Sequence, residues 1–178
     1  MPLAARLRFL AAPAVAALAV ACVPRAAPPP PPAPVAPVPM PTPTPSPTAA
    51  DWQDWPTTPG NWRYERDARG SRALFGTVSA DAVAVLRCDL AARAVYLSRA
   101  GEAAGPFTIR TSSTTRVVPA QPTGGTPPYV AAALGSRDPL LDAIAFSRGR
   151  FTIEQPGAAP LVLRPWAEVS RVIEDCRG

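Results

Sequence analysis

Between residues 61 and 119 apolar and polar side chains change places every second residue, the period of a strand that buries one face. Asn61-Trp62-Arg63-Tyr64-Glu65 is the first such stretch, and Arg72 to Val78 the second, with Gly76 a candidate bulge. A third runs from Asp81 to Asp89, with Ala84, Leu86 and Cys88 on one face and Val83, Val85 and Arg87 on the other. The turn Asp89 to Arg93 leads back into Ala94 to Arg99, where Val95 and Leu97 coincide. Pro106 to Thr111 and Thr114 to Pro119 form another pair, joined at Ser112-Ser113. Short strands linked by short turns predict an antiparallel meander. Gln121 to Pro128, rich in Gly and Pro, predicts a loop.

Beyond residue 137 the period lengthens. Asp138-Pro139 is a helix start, with an acceptor side chain at the N-cap and Pro at the first helical position. Leu140, Leu141, Ile144 and Ala145 follow at helical spacing, and Gly149 supplies a stop. Phe151 to Glu154 alternates as a strand, Pro156-Gly157 turns, and Leu161 to Leu163 returns. A second helix begins near Pro165 and carries Val169, Val172, Ile173 and Cys176 as one apolar stripe. The predicted fold class is α+β and β-rich: an antiparallel, sandwich-like sheet with two short C-terminal helices.

The first fifty residues obey another pattern. Arg6 and Arg8 precede an unbroken apolar stretch from Phe9 to Val20, and Ala19-Val20-Ala21 offers small residues for cleavage. This is the layout of an export signal over residues 1–21. Such a stretch is shorter than the roughly 20 residues needed to span a bilayer core. Leu18 to Cys22 resembles a bacterial lipobox, with Leu one place early, so Cys22 is the candidate lipidation site. Several acyl chains at one terminus would hold the protein on a membrane, where a single chain binds marginally. Val23 rather than Asp follows, which by resemblance to the known sorting rule favours the outer membrane. The alternatives are a soluble periplasmic or secreted protein and an uncleaved Ala-rich segment. From residue 22 to 50 the chain is proline-rich, which denies it the donors for helix or sheet and predicts an extended polyproline tether. A docking site for a proline-recognising partner is the alternative to a stalk. Residues 51–178 remain as a single globular domain.

Composition narrows the chemistry. The chain has 18 Lys plus Arg, 13 Asp plus Glu and no His, for a formal charge of +5. Every cation is Arg. Three of these precede residue 51, so the domain is nearly balanced and carries no aromatic-basic cluster for nucleic acid. Without His or Lys, imidazole bases, Ser-Lys catalysis, Schiff bases and P-loop phosphate grips are excluded, and no metal site or cofactor is expected. Carboxylates are the remaining acid-base groups. Glu174-Asp175 are adjacent and splay apart on a helix, while Glu65, Glu102, Glu154, Asp138 and Asp142 stand alone or serve helix ends. Cys88 and Cys176 both face inward by pattern, and export to an oxidising compartment predicts a disulfide between them.

Two surface candidates follow. Trp52, Trp55, Trp62 and Tyr64 crowd the point where tether meets domain, either as a binding surface or as staples onto the core. Arg148 and Arg150 flank Gly149 as a candidate anion contact, or simply complement the helix end.

The runs PLLDAIAFSRGRF at 139–151 and PWAEVSRVIEDCR at 165–177 resemble the ending of small exported proteins of alphaproteobacteria. Their layout of helix, strand, turn, strand and last helix is also similar to the invasion-associated locus B family, from which the cysteine pattern departs. The resemblance implies an envelope address and a β fold, with no catalytic motif. The expected function is that of a membrane-tethered cell-envelope protein with a non-catalytic binding or structural domain. Its expected partners are the membrane, through the lipid anchor, and an envelope protein or glycan. The alternative is an envelope hydrolase using paired carboxylates.

Overall fold

The computed structural model describes residues 49–178. The expected leader over 1–21, Cys22 and the tether as far as residue 48 lie outside the described residues. A short 3-10 turn, Ala49–Asp54, opens the described chain. Four strands then run as the predicted meander: β1 Asn61–Asp67, β2 Gly70–Gly76, β3 Ala84–Asp89 and β4 Ala94–Ala100. Next come β5 Phe107–Arg110, β6 Thr115–Val118, a two-residue β7 Gln121–Pro122 and β8 Tyr129–Gly135. Helix α1 Pro139–Ala145, hairpin β9 Phe151–Gln155 and β10 Ala158–Leu163, and helix α2 Ala167–Arg177 complete the chain.

These strands form two antiparallel sheets. One has six strands in the order β1-β2-β3-β4-β8-β7, and the other has four in the order β10-β9-β5-β6. The meander is therefore confined to β1–β4. The β5–β6 hairpin lies in the second sheet, beside strands that arrive about forty residues later in the chain.

Both sheets bury one face in a common core. Trp62, Phe75, Leu86, Val95 and Leu97 on the six-stranded sheet join Phe107, Ile109, Phe151 and Ile153 on the other. Helix α2 lies against β1–β4 and inserts Val169, Val172, Ile173 and Cys176 into the same core, as its stripe predicts. Cys176 is disulfide-bonded to Cys88 of β3, with Cα atoms 5.3 Å apart, inside the range a bridge accepts. Arg99 of β4 reaches from the six-stranded sheet to the carbonyls of Ile153 and Ala159 at 3.4 and 3.0 Å, tying the sheets together through a cation with no acid beside it. Burial alone lowers its pKa.

Local chemistry explains most element ends. Asp138 caps α1 by accepting from the Leu140 amide at 2.8 Å, with Pro139 at the first helical position. The helix ends at Ala145, before the expected stop at Gly149, which instead turns the chain into β9 with φ +80°. Gly70 begins β2 two residues ahead of expectation. Its φ is +146°, and a Cβ there would stand 2.7 Å from the Cys88 carbonyl oxygen, so only glycine fits. Gly76 is not a bulge: it closes β2 in unbroken register opposite Asn61. The register shift lies instead in β10, between Ala158 and Leu161. Strand β3 starts at Ala84 rather than Asp81, and the expected loop at 121–128 contributes β7 from its first two residues.

The bridge between Cys88 and Cys176 spans 88 residues of chain. Opening it should cost about 2–5 kcal/mol. Urea melts of the oxidised chain and of a Cys88→Ala/Cys176→Ala variant measure this directly. Coincident midpoints would show that the bridge contributes nothing.

Candidate functional site

The four aromatic residues expected to share a surface are separated by the fold. Trp62 is 4% exposed, meets Phe75 edge-on at 5.1 Å between ring centroids, and donates its indole N–H to the Arg164 carbonyl at 2.7 Å. Trp55 is 6% exposed and sits beside the second sheet, where it walls a cleft of about 400 Å³ with Thr108, Glu154 and Pro160. Its indole N–H is buried without a protein partner. Tyr64 is half-buried on the α2 side, donating to Asp175 at 2.6 Å with the Arg171 guanidinium 4.1 Å above its ring. Trp52 is partly exposed. The four residues expected to form one binding surface therefore lie apart: Trp62 is packed in the core and Trp55 is buried beside the second sheet.

The basic pair is also divided. Arg150 donates to the Trp55 carbonyl at 2.5 Å, which fixes the chain entering the domain onto β9. Arg148 is exposed, and its amide donates to Ser112 Oγ at 2.9 Å, stapling this turn to the β5–β6 turn.

Seven of the carboxylates sit opposite arginines. Ion pairs join Arg66 to Asp175, Arg69 to Asp89, Arg72 to Glu65 and Arg87 to Asp67. Arg110 pairs with Glu154, Arg116 with Asp138, and Arg177 with Asp142. Arg116 grips Asp138 with both terminal nitrogens, at 2.8 and 2.7 Å, and holds its carboxyl below the usual range against the opposing effect of burial. Asp67 and Asp89 are held down in the same way by Arg87 and Arg69. For Asp175 burial is the largest influence and pushes upward, yet the Tyr64 hydroxyl and Arg66 together leave the group lowered. Glu174 points to solvent while its neighbour Asp175 is half-buried, so the adjacent acids face different surroundings. Among the described residues, no three acids or thiols are placed to share a metal ion, and no helix is long and apolar enough to cross a membrane.

The site that the sequence did not reveal is the outer face of the six-stranded sheet. The α2 helix and the second sheet occupy the inner face, and the outward residues Arg63, Glu65, Arg72, Leu74, Val85, Arg87, Tyr96, Ser98, Ala131 and Ala133 are all partly or fully exposed. The register places Arg63, Leu74, Val85, Ser98, Ala131 and Gln121 in one row across all six strands. Beside it runs a second row of Glu65, Arg72, Arg87, Tyr96 and Ala133. Two clefts lie along this face. One, of about 280 Å³, is bounded by Arg63, Arg72, Arg87, Asp81 and Tyr129, and the other, of about 430 Å³, by Tyr96, Pro119, Pro122, Ala131 and Ala133. Tyr129 is fixed by donating to the Ala82 carbonyl at 2.5 Å, and burial raises its pKa. The missing signal was β8: without it, Ala131 and Ala133 have no place beside Tyr96.

No protein-family model, curated protein or solved structure matches the chain.

Two outcomes test this assignment of roles. Trp62→Ala should cost about 3–5 kcal/mol of stability in a urea melt, whereas Trp52→Ala should change it by less than about 0.5 kcal/mol. Equal effects would contradict the division into core and surface. Asp138→Asn keeps an acceptor for the cap and loses only the ion pair; Asp138→Ala also loses the cap, costing about 1 kcal/mol more. Because Asp138 is held below its unfolded value, the pairing stabilises the fold fully above about pH 4. That advantage fades as pH falls through the lower folded value. The gap between wild type and Asp138→Asn should therefore narrow in acid, and a gap that widens there would refute the pairing.

Proposed function

We propose that the chain is a membrane-tethered cell-envelope protein whose domain acts by binding an envelope component rather than by catalysis. The observation that carries this reading is the open face of the six-stranded sheet. A sheet of this size normally covers both faces or dresses the outer one in scattered charge. Here the outer face holds a continuous row of small and apolar residues flanked by tyrosines and guanidinium groups, with clefts on it. Binding requires shape, aromatic anchors and a few arginine contacts, and this face supplies all three. General acid–base catalysis requires a carboxyl free to exchange its proton near neutral pH. Asp67, Asp89, Asp138 and Asp175 are instead held in their charged forms. The disulfide fits an oxidising compartment, in keeping with the export signal and with a lipid anchor at Cys22.

The anchor has a direct test. The mature N-terminal peptide should begin at an acylated Cys22 by mass spectrometry, and Cys22→Ser should shift the protein from the membrane to the soluble fraction. An unmodified terminus, or a Cys22→Ser protein that stays equally membrane-bound, would refute it. The binding reading is tested by chemical cross-linking of the full chain in its native envelope. A cross-linked adduct that persists through purification supports it, and only uncross-linked chain would overturn it.

A further inference from the structure

We infer that the open face of the six-stranded sheet binds an uncharged linear glycan strand, laid across the β-strands along the row from Leu74 to Ala131. This inference rests on the binding role proposed above and names the ligand class. Four observations lead to it.

The first is direction. Leu74, Val85, Ser98 and Ala131 are consecutive cross-strand partners, so the row crosses the strands instead of following them, with one cleft at Leu74 and Val85 and another at Ala131 and Ala133. With Arg63 and Gln121 as its end partners the row spans all six strands and is about 24 Å long. It therefore fits an extended polymer rather than a compact small molecule.

The second is the kind of hydrogen bond on offer. Beneath the row, the backbone groups of β2, β3, β4 and β8 are spent on the sheet ladder. A polypeptide recognised by a sheet takes main-chain bonds from an exposed edge, parallel to the strands. A ligand lying across the strands receives contacts from side chains only. A sugar chain suits this, because its hydroxyls both donate and accept.

The third is charge. Arg63, Arg72 and Arg87 stand among Glu65, Asp67 and Asp81, so the wall is electrically balanced. Neither a polyanion nor a polycation finds a complementary field there. Yet donors remain. Arg72 uses Nε and Nη2 on Glu65, and Arg87 uses Nη2 on Asp67. Each keeps Nη1 outside those contacts, suited to the paired hydroxyls of a sugar ring.

The fourth is the floor. Ser98, Ala131 and Ala133 are small, and Tyr96 rises beside them with a partly exposed ring. Among the described residues, the Tyr96 hydroxyl makes no hydrogen bond with the protein, so ring and hydroxyl are both free to meet a sugar.

The test uses the full mature chain and β-1,4-linked N-acetylglucosamine oligomers from dimer to hexamer, titrated by calorimetry. Affinity should tighten by roughly tenfold or more from dimer to hexamer as successive strands are engaged. Ser98→Trp fills the floor and should weaken hexamer binding at least about tenfold with the melting temperature unchanged. If that variant misfolds, Tyr96→Ala carries the same expectation. No binding by the wild-type chain, affinity independent of length, or affinity that survives both substitutions would overturn the proposal. A photo-crosslinking residue at position 131, used in the native envelope, separates ligand classes: an adduct cleaved by glycosidases supports a glycan, and one cleaved only by proteases overturns it. If the oligomers fail while an envelope adduct still forms, only the ligand class falls. If no adduct forms either, the binding role falls with it.

Discussion

One-sided burial is the constraint on which the rest of the structure depends. The six-stranded sheet has its buried apolar core residues on a single face, and that face must accommodate both the α2 helix and the second sheet. The Cys88–Cys176 bridge fixes the helix half of this arrangement: it ties the last turn of α2 to the strand at the middle of the meander. With the helix held over β1–β4, the remaining inner surface falls to the second sheet, and Arg99 marks the seam by bonding carbonyls on the far side. A buried guanidinium without an acid is costly. Here carbonyl dipoles replace part of its hydration, and the planar fork reaches two of them in different strands of one hairpin.

Having arginine as its only cation shapes the surface. Lysine would give mobile point charges, whereas arginine offers a fixed fork that can grip a carboxylate with two nitrogens. The domain uses this repeatedly, most fully where Arg116 clasps Asp138 with both terminal nitrogens at the start of α1. These exposed or half-exposed pairs contribute little individually. Their larger effect is on specificity. They neutralise the charge around the open sheet face while leaving donor groups, which separates the capacity to hydrogen-bond from the capacity to attract ions.

The parts of the fold governed by local chemistry were legible in the sequence. The α2 stripe of Val169, Val172, Ile173 and Cys176, the Asp138 cap and the alternation through β3 and β4 are each set by residues within one or two turns or strands. The inward pattern of Cys88 and Cys176 pointed to their bridge for the same reason. What could not be read depended on distant partners. Strand β8 was hidden because Ala131, Ala132 and Ala133 place the same small side chain on both faces, which erases the contrast that period two requires. The allocation of β5 and β6 to the second sheet depends on pairing with β9, and nothing near residue 107 signals that. The aromatic cluster misled for a related reason. Crowding in sequence does not imply one surface, since Trp62 enters the core, Trp55 is buried beside the second sheet and Tyr64 is held by α2.

The open face is itself a consequence of that hidden strand. Without β8 the outer surface of β1–β4 would be a narrow four-stranded strip ending at Tyr96. With it, the alanines that carry no strand signal become a flat floor beside a tyrosine, extended to the edge by β7. Small residues on an exposed sheet face gain little from burial on folding, and they add neither charge nor side-chain packing to the domain. Their position makes sense if that flatness is what a ligand needs. The same residues that make the strand hard to recognise make the surface able to receive an extended chain, so the illegibility of β8 and the shape of the candidate site have one physical cause.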